Sequence, residues 1–120
     1  GTDSNNTLTY GSSVDYAIKT IDIGDWDMDA DTTKIIFHGL SVTEWQTIRS
    51  ISVIIRNDVD AIYYKLESLI DVDGYLAGGV QSFTSTKILL NRRLLGFFDS
   101  VDFDSTSYNR GWVTVQYTAD

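Results

Sequence analysis

The sequence contains no cysteine and no proline. Without cysteine there is no disulfide framework, no thiolate metal site and no sulfur nucleophile, and the chain must fold on its core alone. Without proline, the edges of any sheet have to be protected by charge, by bulges or by a partner chain. Positive charge is scarce, with nine Lys and Arg against 17 Asp and Glu and a formal net charge of −8. A long basic face for phosphate contacts is hard to build from that balance, which disfavours nucleic-acid binding and docking on anionic lipid. Glutamate is scarce as well, since all the acids but Glu44 and Glu67 are Asp. Asp favours turns and caps whereas Glu favours helix interiors, so the balance points to strands and loops. No apolar run approaches the roughly 18 residues of a membrane span, and no membrane insertion is expected. The chain opens on Gly1 and not on Met, as expected of a processed, tagged or excised chain. No basic stretch leads into an apolar one, so no signal peptide is expected.

What is present is a globular composition. The chain has 120 residues, 42% of them hydrophobic and 12% aromatic, enough for one domain with its own core. Residues 1–15, rich in Ser, Thr and Asn, read as an N-terminal arm that is either flexible or packed on a neighbouring chain. Residues 16–120 read as one β-sandwich domain. Tyr16–Ile23 is a first strand, broken at Gly24-Asp25, after which Trp26, Met28 and Ala30 alternate with aspartates. Thr33–His38 is a β-branched run ended by Gly39. Ser41–Gln46 is the one plausible helical turn, with Ser41 as N-cap and Glu44 at capping-box spacing. Ile48–Arg56 alternates Ile51, Val53 and Ile55 against Ser50, Ser52, Ile54 and Arg56, with apolar residues on both faces, and reads as a central strand. Asn57–Asp60 turns, and Ala61–Ile70 is read as the returning strand. Asp71–Gly74 turns again. Tyr75–Val80 is interrupted by Gly78-Gly79, Ser82–Asn91 reads as one strand, and Gly96–Asn109 as a long loop. Trp112–Thr118 closes the chain with Val113, Val115 and Tyr117 on one face. The expectation is an all-β fold, an antiparallel β-sandwich of jelly-roll or lectin-like kind, with six to seven strands and at most one short helical turn.

Few residues carry chemistry. The only histidine, His38, ends an apolar strand and reads as a hydrogen-bonded structural residue, since catalysis needs a base with an oriented partner. There is no Gly-x-Ser-x-Gly elbow and no phosphate-cradling loop. No carboxylate pair stands out as an acid–base couple. No enzyme activity and no cofactor are expected. Asp25, Asp27, Asp29 and Asp31 repeat at every second residue, like the first half of a calcium loop. Ala30 stands where that loop needs Gly, and Ile36 where it needs the bidentate Glu, so these four are weak metal candidates beside the reading of a solvated acidic face. Asp99, Asp102 and Asp104, and Asp71 with Asp73, read as turn chemistry. Trp45, Tyr75 and Tyr108 are aromatics flanked by polar residues and are candidate ligand platforms. Arg56, Asn57 and Asp58, at a hairpin tip, are candidate readers of sugar hydroxyls.

Several stretches together carry a family resemblance: Ile23-Gly24-Asp25-Trp26-Asp27-Met28, His38-Gly39-Leu40, Ile55-Arg56-Asn57-Asp58, Gly96-Phe97-Phe98-Asp99 and Asn109 to Tyr117. The combination, over about residues 16–118, resembles small fibre, spike or decoration domains of tailed bacteriophages. That resemblance implies a protein of the virion surface, extracellular, built as a β-sandwich and often trimeric. It implies as partners further copies of the chain, other virion proteins and a glycan of the host surface. A weaker resemblance, in strand rhythm and the closing Trp-containing strand, is to H-type lectins, which are trimeric sandwiches; none of their sugar-reading residues is carried over. The leading expectation is therefore a non-enzymatic virion adhesion module, homotrimeric. A free-standing carbohydrate-binding lectin-like module and a purely structural capsid or tail decoration protein are the alternatives.

Overall fold

Alternation decides which side chains meet. The structure, a computed structural model, describes residues 16–120, so the arm expected over residues 1–15 lies outside the described residues. Seven strands are found among them: β1 (Ala17–Asp22), β2 (Thr33–Phe37), β3 (Ser50–Arg56), β4 (Tyr63–Lys65), β5 (Gly78–Phe83), β6 (Lys87–Arg92) and β7 (Gly111–Tyr117). They form two antiparallel sheets, one ordered β1-β7-β3-β4 and the other β2-β6-β5. Val53 and Ile21 both pair with Val113 in the first sheet, and Ile36 pairs with Ile88 in the second. The period-two pattern thus puts Val53, Ile55, Val113 and Val115 on one inner face and Ile36, Ile88 and Leu90 on the other, and all seven belong to a single buried core. Such a pair of sheets with one shared core is the all-β sandwich expected from the strand rhythm. Burying each of these aliphatic side chains contributes roughly 1.5–3 kcal/mol.

The loops complete the core. Trp26 and Met28 point inward while Ala30, the third residue of that alternation, is exposed, and Phe98 and Phe103 join the two from the loop before β7. Around Ser41 the capping box forms reciprocally: the Ser41 Oγ accepts from the Glu44 amide at 3.1 Å, and a Glu44 carboxylate oxygen accepts from the Ser41 amide at 3.0 Å. It leads into a single 3-10 turn, Trp45–Thr47. A second, Val101–Phe103, starts where the Ser100 Oγ accepts from the Asp102 amide. His38 is buried; its Nδ1 accepts from the Leu40 amide at 3.0 Å, so its Nε2 is the donor to the Thr84 carbonyl at 2.8 Å. Both ring nitrogens are engaged in holding the strand end, the structural role read from the sequence.

Three segments depart from the expected strands, each because a local hydrogen bond or a close contact competes with the ladder. The returning strand after the 57–60 turn is only Tyr63–Lys65. There Leu66 drops into the core and a Glu67 carboxylate oxygen, instead of a backbone carbonyl, accepts from the Val53 amide at 3.2 Å. The chain resumes as a small hairpin closed by the Ile70–Leu76 bridge, with Asp71–Gly74 as its turn. Gly78 and Gly79 do not interrupt a strand but begin β5. At Gly78 a Cβ would lie 2.7 Å from the Asn91 carbonyl oxygen and against the Leu66 side chain, so the position takes only glycine. The Ser82–Asn91 run is a hairpin and not one strand. The Thr84 amide donates to the Lys87 carbonyl at 2.8 Å, and the Thr84 hydroxyl accepts from the Lys87 amide at 3.4 Å. A threonine that bonds its own turn outweighs its strand preference. The edge strand β5 is bulged between Val80 and Ser82, one of the protections that a proline-free sheet has available.

At Gly111 a Cβ would fall on the Ile54 carbonyl of the neighbouring strand. Gly111→Ala is expected to destabilise the fold by about 3 kcal/mol, the upper range for overpacking a rigid site, measured by urea unfolding; a change within experimental scatter would refute the close approach.

Candidate functional site

At the end of the four-stranded sheet, β3 leaves through the turn Asn57–Asp60 and β7 enters from the 99–110 loop. The turn is made by its own side chains: the Asn57 Oδ1 accepts from the Ala61 amide at 3.0 Å, and Asp60 takes a φ of 54°, tolerated by a short polar residue. The turn and loop are then joined by Asp58. Its carboxylate accepts from the Asp104 and Ser105 amides at 3.1 and 3.2 Å, and its own amide donates to the Asp102 carbonyl at 2.9 Å. The Tyr108 hydroxyl donates to the Asn57 carbonyl at 2.6 Å.

Beneath them lies Arg110, fully buried. Its guanidinium donates to the carbonyls of Trp26 (3.0 Å), Arg56 (2.9 Å) and Ser105 (3.3 Å) and to the Asp58 carboxylate (2.8 Å). A buried guanidinium is tolerated because its donors are met and an anion lies beside it. Burial opposes ionisation of Asp58, but the Arg110 guanidinium and the Ser105 and Asp104 amides outweigh it and hold the carboxyl below its ordinary value of 3.8. Asp104 is pushed the other way, by its own desolvation and then by the neighbouring Asp58.

On the outer side a column of alternating rings and guanidinium groups rises toward solvent. Tyr63 and Trp112 stack with centroids 5.9 Å apart and planes at 28°. The Arg56 guanidinium lies 5.5 Å from the Trp112 ring and 4.2 Å from the Tyr108 ring, and the Arg110 guanidinium lies 5.1 Å from the Tyr108 ring. The pairing of Arg56 with Tyr63 across β3 and β4 sets this order. Arg56 also donates to the Asn109 carbonyl at 2.7 Å and pairs with Asp60 at 3.4 Å, so it orients the rings. The Tyr63 hydroxyl and then Arg56 hold the Asp60 carboxyl below its ordinary value, despite some desolvation. Beside the column opens a cleft of about 220 Å³ lined by Asn57, Asp58, Val59, Val101 and Asp102. An apolar ring face flanked by fixed carboxylates and amides is suited to a ligand with one apolar and one hydroxyl-rich side.

Of the residues singled out in the sequence, Arg56, Asn57, Asp58 and Tyr108 therefore meet here from two distant segments. Trp45 and Tyr75 do not join them. Trp45 follows the capped turn at the opposite end of β3 and lies edge-on to Phe83, 6.5 Å away; Tyr75 lies on the 70–76 hairpin under the Arg93 guanidinium, 4.7 Å away. Tyr63, Trp112, Arg110 and Val101 were not singled out. Tyr63 was within reach of the sequence, because a turn centred on 57–62 sets 63 opposite 56; Arg110 was not, since all its partners are distant in the chain.

The aspartate ladder is dispersed. Residues 25–31 are loop and turn and not strand, so the four carboxylates do not share a face. Asp25 accepts from the Tyr108 amide at 2.6 Å and Asp27 from the Asp29 and Ala30 amides at 3.1 Å, while Asp31 offers its carbonyl to the Trp26 indole. Asp99 pairs with Arg92, and Asp71 and Asp73 with Arg93. Among the described residues no group of three or more His, Asp or Glu side chains is placed to hold a metal ion. Neither the family models, nor the curated proteins, nor the solved structures compared with this chain give a match.

Two outcomes are expected. Because the unfolded chain protonates Asp58 at a higher pH than the folded chain does, this group stabilises above the ordinary carboxylate value and its contribution is lost as pH falls below 3.8. Asp58→Asn should lower the melting temperature at pH 6 and flatten its fall between pH 5 and 3, followed by circular dichroism; an unchanged acid limb would count against the pairing. Millimolar calcium should leave the melting temperature of the native chain within about a degree, since a ligand that binds the folded state tightly must raise it; a rise of several degrees would show a site that the loop carboxylates assemble.

Proposed function

We propose that this chain is a non-enzymatic adhesion module of a phage-type virion fibre or spike, assembling as a homotrimer. It binds a glycan of the host surface at the 57–60 end of the sandwich. The observation that carries the binding reading is the meeting of the Tyr63–Trp112–Arg56–Tyr108 column with the cleft lined by Asn57, Asp58 and Asp102. A pyranose presents an apolar face of C–H groups and a rim of hydroxyls. The Tyr63 ring, half exposed at the top of the column, takes the first, and the Asp60 and Asp102 carboxylates take the second. The ion pairs and backbone bonds beneath hold these groups before any ligand arrives, which limits the ordering cost of binding. One such site per chain binds weakly, and three in one assembly engage a repetitive surface together. The virion setting comes from the sequence resemblance, and a fold of exposed Asp-rich turns on a cysteine-free core suits it. A free-standing lectin-like module would use the same site as a single chain.

Glycan-array screening followed by calorimetry on the best ligand tests the reading. Tyr63→Ala should weaken binding roughly tenfold, the loss of about 1.4 kcal/mol from one stacking contact, with the fold intact because the ring faces solvent. An array with no retained glycan would favour a purely structural decoration role, and equal affinity in the variant would remove this site and place glycan binding elsewhere on the chain.

A further inference from the structure

A second surface stands apart from the cleft. The 70–76 hairpin and the 93–96 turn lie side by side, joined by Arg93, whose guanidinium reaches both Asp71 and Asp73, and by Asp71, which accepts from the Phe97 amide at 2.9 Å. This braced pair of loops carries six apolar side chains more than half exposed: Ile70, Val72, Tyr75, Leu76, Leu94 and Leu95. Each being more than half exposed, together they leave on the order of several hundred Å² of mostly apolar surface in water. Monomers rarely expose a contiguous apolar patch above about 300–600 Å², and about 800 Å² per partner is what a specific interface covers.

The backbone supplies an independent sign. Leu95 is 87% exposed and holds a φ of 58°, a left-handed conformation that Asn or Gly adopts readily and Leu does not. It is kept there by the Asp99 carboxylate, which accepts from its amide at 2.8 Å while pairing with the buried Arg92 at 3.2 Å. Among the described residues this arrangement covers nothing. It presents a leucine, rigidly, to something outside.

We propose that this surface is the contact between copies of the chain, three of which bring their 70–76 hairpins and 93–96 turns together about one threefold axis. Area is one argument. Charge is another: a chain of net charge −8 repels its copies over most of its surface, but here Arg93 between Asp71 and Asp73 leaves little local charge to oppose contact. The inference rests on the self-assembly proposed above and names the surface that achieves it. The cleft, lined from the 57–60 turn, takes no part.

Light scattering on the eluting peak of the full chain tests it, with Leu95→Asn and Val72→Lys as variants. Asn suits the left-handed backbone at 95, and Val72 is fully exposed at the hairpin tip, so both variants should keep the wild-type circular dichroism spectrum. The expected result is an assembly of several chains for the native protein and single-chain mass for each variant, with glycan binding per chain unchanged. Assemblies that persist in both folded variants would overturn the surface while leaving self-assembly standing. A native chain that stays single at its highest soluble concentration would overturn both, and its retention on neutral phosphatidylcholine vesicles would assign the patch to a membrane instead.

Discussion

Arg110 is the group on which the 57–60 end of the sandwich depends. A guanidinium without access to water is costly unless every direction in which it donates is answered. Here the answers come from four separate places: the Trp26 carbonyl in the 23–32 loop, the Arg56 carbonyl at the end of β3, the Ser105 carbonyl in the loop before β7, and the Asp58 carboxylate in the turn. One side chain therefore sets the mutual position of a strand end, a turn and two loops. The column of Tyr63, Trp112, Arg56 and Tyr108 stands on that base, and the cleft is the space left between the joined turn and loop.

The same device recurs wherever a loop needs holding. Asp25 accepts from Tyr108, Asp27 from Asp29 and Ala30, Asp58 from Asp104 and Ser105, Asp71 from Phe97, and Asp99 from Leu95, all through backbone amides. A chain without proline cannot stiffen its loops through a locked φ. It uses the short carboxylate instead, which reaches an amide a few residues away or on a neighbouring loop. Part of the surplus of Asp over Glu is explained by this role, and three of these aspartates gain an arginine partner as well, Arg110 for Asp58, Arg92 for Asp99 and Arg93 for Asp71. The acidity of the chain is thus tied to how its loops are built, and two of the four aspartates that resemble half of a calcium loop, Asp25 and Asp27, are amide acceptors.

Two surfaces are presented by these braced loops. One is ring-faced and polar, with a cleft; the other is apolar and nearly neutral. They lie on different loops, so a ligand at the first, as proposed, would leave the second free for another chain. The separation fits the proposed adhesion module, and it lets each surface be altered without disturbing the other.

The sandwich itself was legible in the sequence. Alternation in 48–56 and 112–118 fixed which residues face the core, and the aspartate-rich breaks marked most turns, because side-chain direction in a strand is a local property with a period of two. The capping box at Ser41 and Glu44 was legible from its own spacing, and Trp26 and Met28 are inward because large apolar side chains seek the core, although residues 25–31 are not a strand. The break at Leu66 and the strand role of Gly78 were not legible, since a glutamate substituting for a carbonyl or a leucine occupying the place of a Cβ exists only when distant segments meet; the break at Thr84 is local, a threonine bonding its own turn. Of the site, Arg56, Asn57, Asp58 and Tyr108 could be suspected one by one from turn chemistry and ring exposure. That they share one end, that Trp45 and Tyr75 do not, and that Arg110 lies beneath them was decided by sheet order and register alone: local pattern tells a residue which way to face, and only tertiary pairing tells it whom it meets.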